Sequence, residues 1–184
     1  MALRRLAVAA LLAAGLSAPI CVGAQRALEY EVKAAYLYNI VNFVTWPPDA
    51  FQNATDPVRV CIYGADPFGP LLDRSIQGTV AGQRPMQAVR VDDAEGLTRC
   101  HLIFLPAGNT DRIDQAVRLS AQRPILTVGE APDFLRRGGM IAFVIDGGRV
   151  RFDVNQAMAA SHGLSLSSRL LQVARTVTGK ARPS

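Results

Sequence analysis

Two places in this chain put a nucleophile beside a base: Cys100 next to His101, and Ser161 next to His162. An imidazole in contact with a thiol or hydroxyl activates it for covalent catalysis. Cys100 and His101 open an apolar run that reads as a strand, where successive side chains point to opposite faces, so that pair does not meet. For Ser161 and His162, adjacency says nothing about contact, and no G-x-S-x-G elbow supports a hydrolase. His162, followed by Gly163, reads as a surface or capping residue; an exported hydrolase that uses it stays as a third reading. Metal chemistry has no better footing. Two histidines and three cysteines lack C-x-x-C or H-E-x-x-H spacing, and Asp92, Asp93 and Glu95 form a solvated loop. No metal, cofactor or catalytic group is expected.

Glycines raise a different chemistry, anion binding. A phosphate loop places glycines between a strand and a helix start, with backbone N–H groups aimed at the ligand. GADPFG at 64–69 does join a predicted strand to a predicted helix and is the best candidate, although a tight turn with Asp66 as helix cap explains it equally. The pairs in RRGGMIAFVIDGGRVRFDVN, residues 136–155, flank strands instead. Asp146-Gly147-Gly148 reads as a hairpin turn.

The first residues say where this chemistry would operate. Arg4 and Arg5, an apolar run from Leu6 to Leu16 and Val22-Gly23-Ala24 make a secretory signal peptide, too short to span a bilayer. Cleavage is expected after Ala24, leaving residues 25–184 as about one domain outside the cytoplasm. Cys21 leaves with the leader, and Ile20 before it argues against lipidation. Arg4 and Arg5 are two of the 20 basic residues, so the remainder keeps only a small positive excess over 15 acidic ones. The charges are scattered, which excludes a nucleic-acid surface as the natural reading. Asn53-Ala54-Thr55 is a glycosylation sequon of consequence only in a glycosylating host. Cys61 and Cys100 are the remaining cysteines. In an oxidising compartment they form a disulfide or, alternatively, two buried thiols in neighbouring strands; the disulfide is favoured.

The elements that must position these residues alternate in type. Leu28–Thr45 carries a helical apolar stripe and ends at Trp46-Pro47-Pro48, with Trp46 a core anchor. Strands are predicted at 58–63, 83–91, 101–105 and 125–128, with Pro85 placing the second at an edge or shortening it. Helices are predicted at 67–76, with Pro67 first, at 110–121, at 156–160 and at 167–177, and a short turn at 132–137. The last helix has Leu166, Leu170, Val173, Ala174 and Val177 as its stripe. This is an α/β fold: a mainly parallel sheet flanked by helices, with a C-terminal β-hairpin and a final helix. Strand ends of such a sheet offer a ligand crevice.

The ordered series EYEVKAAYLYNIVNFVTWP (29–47), VRVCIYGADPFG (58–69), RCHLIFLP (99–106), ILTVGE (125–130), GGMIAFVIDGGRVRFDVN (138–155) and GLSLSSRLLQVA (163–174) resembles the YfiR family of bacterial periplasmic proteins. The resemblance is collinear over nearly the whole chain after the leader. It implies a non-enzymatic, homodimeric repressor that binds the periplasmic part of an inner-membrane diguanylate cyclase and lowers cyclic-di-GMP and biofilm formation. An outer-membrane lipoprotein would sequester the repressor. Cys61 and Cys100 match a cysteine pair that the resemblance marks as redox-responsive, whereas the second pair of better-known relatives, near GGMI, is missing here. For partner contacts the expected residues are Arg169, Gln172 and Arg175 on the last helix, with the apolar Leu164 and Leu166. The alternative is a periplasmic small-molecule binding module serving a sensor or uptake receptor.

Overall fold

The computed structural model describes residues 21–179. The expected leader lies outside the described residues as far as residue 20, and residues 21–24 begin α1 (Cys21–Asn42). This helix buries Tyr30, Ala34, Leu37, Ile40 and Val41, a spacing of three and four that keeps one face on the core. It starts seven residues before the expected Leu28 and stops before Thr45. Val44–Thr45 instead form β1, paired antiparallel with β9 (Ser165–Leu166). The β-branched pair ahead of Trp46-Pro47 prefers extended backbone, and β9 supplies its hydrogen bonds.

The chain then runs through β2 (Val58–Tyr63), α2 (Pro70–Ile76), β3 (Val80–Ala81), β4 (Arg84–Val91), α3 (Ala94–Leu97), β5 (Leu102–Leu105), α4 (Thr110–Ser120) and β6 (Leu126–Gly129). The hairpin β7 (Ile141–Asp146) and β8 (Arg149–Asn155) follows, then α5 (Gln156–Ser161), β9, α6 (Ser168–Val173) and β10 (Thr176–Thr178). Eight strands form one sheet in the order β10-β8-β7-β6-β5-β2-β4-β3, and only the β3–β4 and β7–β8 pairs are antiparallel. The expected mainly parallel α/β sheet is present.

Alternation along the central strands separates two cores. Val60, Ile62, Leu102 and Phe104 face α1 and α2, while Cys61, Tyr63, Ile103 and Leu105 face α3 and α4. Every residue of β5 and β6 is buried, as a strand covered on both faces requires. Pro85 shortens the ladder between β4 and β2, which begins at Met86, and pairs only with Val80 of β3, the two-residue strand at the edge of the sheet.

Two predicted helices have different limits. α2 begins at Pro70, not Pro67, and the Asp66 carboxylate accepts from the N–H groups of Phe68 and Gly69 ahead of it. The final helix ends at Val173. Ala174 turns extended, the Arg175 N–H donates to Phe152 O at 2.8 Å, and β10 adds parallel to β8. Without β10, one edge of β8 would be an open row of donors and acceptors; pairing it with Thr-Val-Thr outcompetes another helical turn.

Candidate functional site

His101, a candidate base, lies immediately ahead of β5. Its Nδ1 accepts the Arg59 N–H at 3.0 Å, which leaves Nε2 as donor to Ala50 O at 3.2 Å. The ring stacks on Phe51 at 4.3 Å and meets Trp46 edge-on. Burial pushes its pKa below the ordinary histidine value. Both nitrogens are committed to backbone, so His101 braces the start of β5 and has no free nitrogen to act as a base. Trp46 Nε1 donates to His101 O at 3.3 Å, in keeping with an anchoring role.

Cys61 and Cys100 are joined in a disulfide with Cα atoms 5.9 Å apart, ordinary for such a bond. Both residues are buried, and the bond ties β2 to the chain just before β5. Ser161 and His162 do meet, at 3.1 Å between Oγ and Nδ1. The same Nδ1 lies 2.7 Å from Met158 O, and Ser161 Oγ donates to that oxygen at 2.8 Å. Nδ1 is therefore the protonated nitrogen donating to a carbonyl, and it cannot take the serine proton. The pair caps α5.

At the carboxyl ends of the strands, buried charge gathers. Lys33 Nζ lies 2.5 Å from Glu29 Oε1 and 2.5 Å from Glu130 Oε2, and over the Tyr30 ring at 4.5 Å. Tyr30 Oη donates to Glu130 Oε1 at 3.0 Å, and the Ala107 N–H donates to the same oxygen at 3.3 Å. Burial alone would pull Lys33 down, but hydrogen bonds and charges from Glu130 and Glu29 outweigh it and hold the ammonium above its ordinary pKa. This cluster clamps α1 to the loops that follow β5 and β6.

Beside the clamp is a cleft of about 470 Å³, lined by residues 63–65 at the end of β2, 105–109 at the end of β5, Asp92 and Arg112. β2 and β5 are neighbours, yet β2 leads to α2 on one face of the sheet and β5 leads to α4 on the other. Their loops diverge, which makes this the topological switch point where α/β sheets open a ligand crevice. The Arg112 guanidinium lies over the Tyr63 ring at 4.8 Å. The anion site sought in GADPFG thus fails at α2, whose start is occupied by the Asp66 carboxylate. Gly64 borders the cleft on the α4 side instead.

The expected partner residues are not one surface. Leu164 and Leu166 are buried in the main core and offer a partner no side-chain area. Arg169 and Gln172 are exposed on α6, with Val173 beside them 60% exposed. Arg175 is not on the helix; it leads into β10, where Nε and Nη2 grip Asp153 at 2.9 and 2.5 Å. Sequence reasoning missed the Lys33 cluster and Arg112. Lys33 carried a signal, a charge at a stripe position three residues after Tyr30 and four before Leu37, while Arg112 sits on the polar-looking side of α4 and carried none.

Among the described residues no helix is long and apolar enough to cross a membrane, and no group of three or more histidine, cysteine or acidic side chains is arranged to hold a metal. A family model described as YfiR/HmsC-like matches residues 30–175. Two solved structures share the fold. One is the ABC domain in complex with L-Trp from Streptococcus pneumonia, at TM-score 0.55 and 12% identity, covering 78% of this chain and 60% of that one. The other, a conserved domain protein from Vibrio cholerae O1 biovar eltor, has TM-score 0.55 and 12% identity over 81% of this chain and 60% of that one. The chain therefore spans about three fifths of the length of the structures it matches, and at this identity the likeness concerns fold alone.

Proposed function

The chain belongs to the YfiR/HmsC-like family, and from that membership we propose that it is a periplasmic regulatory protein whose partner is the periplasmic part of an inner-membrane diguanylate cyclase. Binding holds the cyclase inactive, lowering cyclic-di-GMP and with it biofilm formation. The single observation that carries this reading is the family match across residues 30–175, nearly all of the described chain. The two candidate bases agree with it, since His101 spends both ring nitrogens on backbone and His162 its Nδ1. Export through a leader cleaved after Ala24, a homodimer and sequestration by an outer-membrane lipoprotein belong to the same proposal. Arg169 and Gln172, with Val173 beside them, form the proposed contact surface on α6; Arg175 contributes by holding β10 against β8.

The test is a pull-down of the mature protein from detergent-solubilised inner membrane, with wild type and with Arg169→Glu/Gln172→Glu. Wild type should recover a diguanylate cyclase, and the double variant at least tenfold less. Recovery of no cyclase by wild type would overturn the reading, and equal recovery by both would move the contact elsewhere.

A second reading, a small-molecule binding module serving a sensor or uptake receptor, is favoured by one observation. The cleft at the switch point of the sheet is the place where proteins of this architecture take ligands.

A further inference from the structure

The neighbours of His101 dictate its protonation state. A backbone N–H can only donate and a carbonyl can only accept, so the bonds to the Arg59 N–H at 3.0 Å and to Ala50 O at 3.2 Å need one bare nitrogen and one N–H. That ring is the neutral imidazole protonated at Nε2. An imidazolium carries a proton on both nitrogens, and turning the ring over only sets a different donor against the Arg59 N–H. Burial, the largest influence, also opposes the charged ring: His101 is 8% exposed and stacked on Phe51. The bond to Ala50 O works the other way, Arg59 on β2 and Arg84 on β4 add to the opposition, and Asp56 eases it. Arg99, Arg123 and Asp49 line the cleft beside the ring.

What the ring holds is the segment from Ala50 to Asp56, which follows the 3-10 turn Pro48–Ala50 and leads into β2. Arg84 secures the far end of that segment. Its Nη1 donates to Asn53 O and Asp56 O at 2.8 and 3.0 Å, and its guanidinium lies over the Phe51 ring at 3.7 Å. At the Ala50 end the hydrogen bond that reaches across to the sheet comes from the imidazole. The segment forms one wall of a cleft of about 540 Å³, and residues 98–101 form the other. Loss of the imidazole from its seat would therefore remove the Ala50 bond, the Phe51 stack and the acceptor of the Arg59 N–H together.

We propose that His101 is a proton-operated latch: neutral, it clasps the Ala50–Asp56 segment to the start of β2, and on taking up a proton it leaves this seat, which frees the segment and opens the adjoining cleft. The sign is that of a histidine which binds its proton more weakly in the closed form than in the open one. Closure is at full strength above about pH 6.5, the value of an exposed histidine, and weakens as pH falls below it, by up to about tenfold in the closed-to-open ratio per pH unit. Acid thus exposes a surface that is covered at neutral pH. The latch goes beyond the partner reading and stands whether or not a cyclase binds.

The test is amide hydrogen exchange followed by NMR on the ¹⁵N-labelled mature protein between pH 7.5 and pH 5, with the imidazole nitrogen shifts recorded alongside. His101 should show the Nε2–H tautomer at neutral pH and titrate below the value of an exposed histidine. After correction for intrinsic exchange, protection of the Arg59 amide should fall about eightfold from pH 6 to pH 5, while that of Phe104 in β5 holds. A carboxamide offers one acceptor and one donor without titrating, so His101→Gln should keep the Arg59 amide protected across the range. Wild-type Arg59 protection that does not change with pH would overturn the latch without recourse to any variant. An equal loss at Phe104 would overturn it as global unfolding, and the same loss in a folded His101→Gln would assign the proton to another group.

Discussion

Lys33 is 4% exposed and fully charged, a placement tolerated only because Glu29 and Glu130 close on it. Removing one member of such a cluster leaves an uncompensated buried charge, so Lys33→Met should cost about 3 kcal/mol by urea denaturation at neutral pH. The pH dependence follows from the direction of the shift. A lysine whose folded pKa is raised contributes stability in full below its unfolded value near 10.4 and loses it as pH rises through the folded value. Tyr30, raised by burial and by Glu130, has the same sign. Wild-type stability should therefore fall above about pH 10 more steeply than that of Lys33→Met. Parallel curves would show that the clamp carries no such linkage.

At the scale of elements, the two glycine pairs of RRGGMIAFVIDGGRVRFDVN serve different ends. Gly147 and Gly148, at φ +55° and +73°, make the two-residue turn between β7 and β8, where nothing stands within 4 Å of an added Cβ. Gly139 is a packing glycine: a Cβ there would lie 2.2 Å from the ring of the fully buried Phe134, and one at Gly129 would lie 2.6 Å from the same ring. Overpacking of that kind costs about 1–3 kcal/mol, and a non-glycine in left-handed backbone about 1–2. Gly139→Ala should cost about 3 kcal/mol in thermal or urea unfolding and be partly rescued by Phe134→Leu, whereas Gly147→Ala should cost about 1 kcal/mol and not respond to Phe134→Leu. An equal, unrescued loss at both positions would refute the distinction.

Across the whole molecule, the disulfide spans 39 residues and joins β2 to the approach of β5, closing a loop that contains α2, β3, β4 and α3. In the chain-entropy view such a loop stabilises by about 4 kcal/mol, so Cys61→Ala/Cys100→Ala should lower Tm by about 10 °C. A non-reducing peptide map of the native protein should show Cys61 linked to Cys100; two alkylatable thiols in fresh periplasmic extract would contradict it. The sequence by itself determined the class of fold. The apolar period of α1, the buried runs of β2, β5 and β6 and the Asp-Gly-Gly turn are local patterns set by backbone sterics and by which face must leave water. It also supplied the cysteine pair and the ordered series shared with the family. Tertiary structure decided what local pattern cannot encode. Thr176–Thr178 became a strand because an edge of β8 needed a partner, and Leu164 and Leu166 went into the core because β9 pairs with β1. Arg112, on an ordinary polar helix face, came to lie over the Tyr63 ring beside the cleft only when β2 and β5 were set side by side with their loops diverging, since its surroundings come from segments about 48 and 5 residues away in the chain and no local signal spans both.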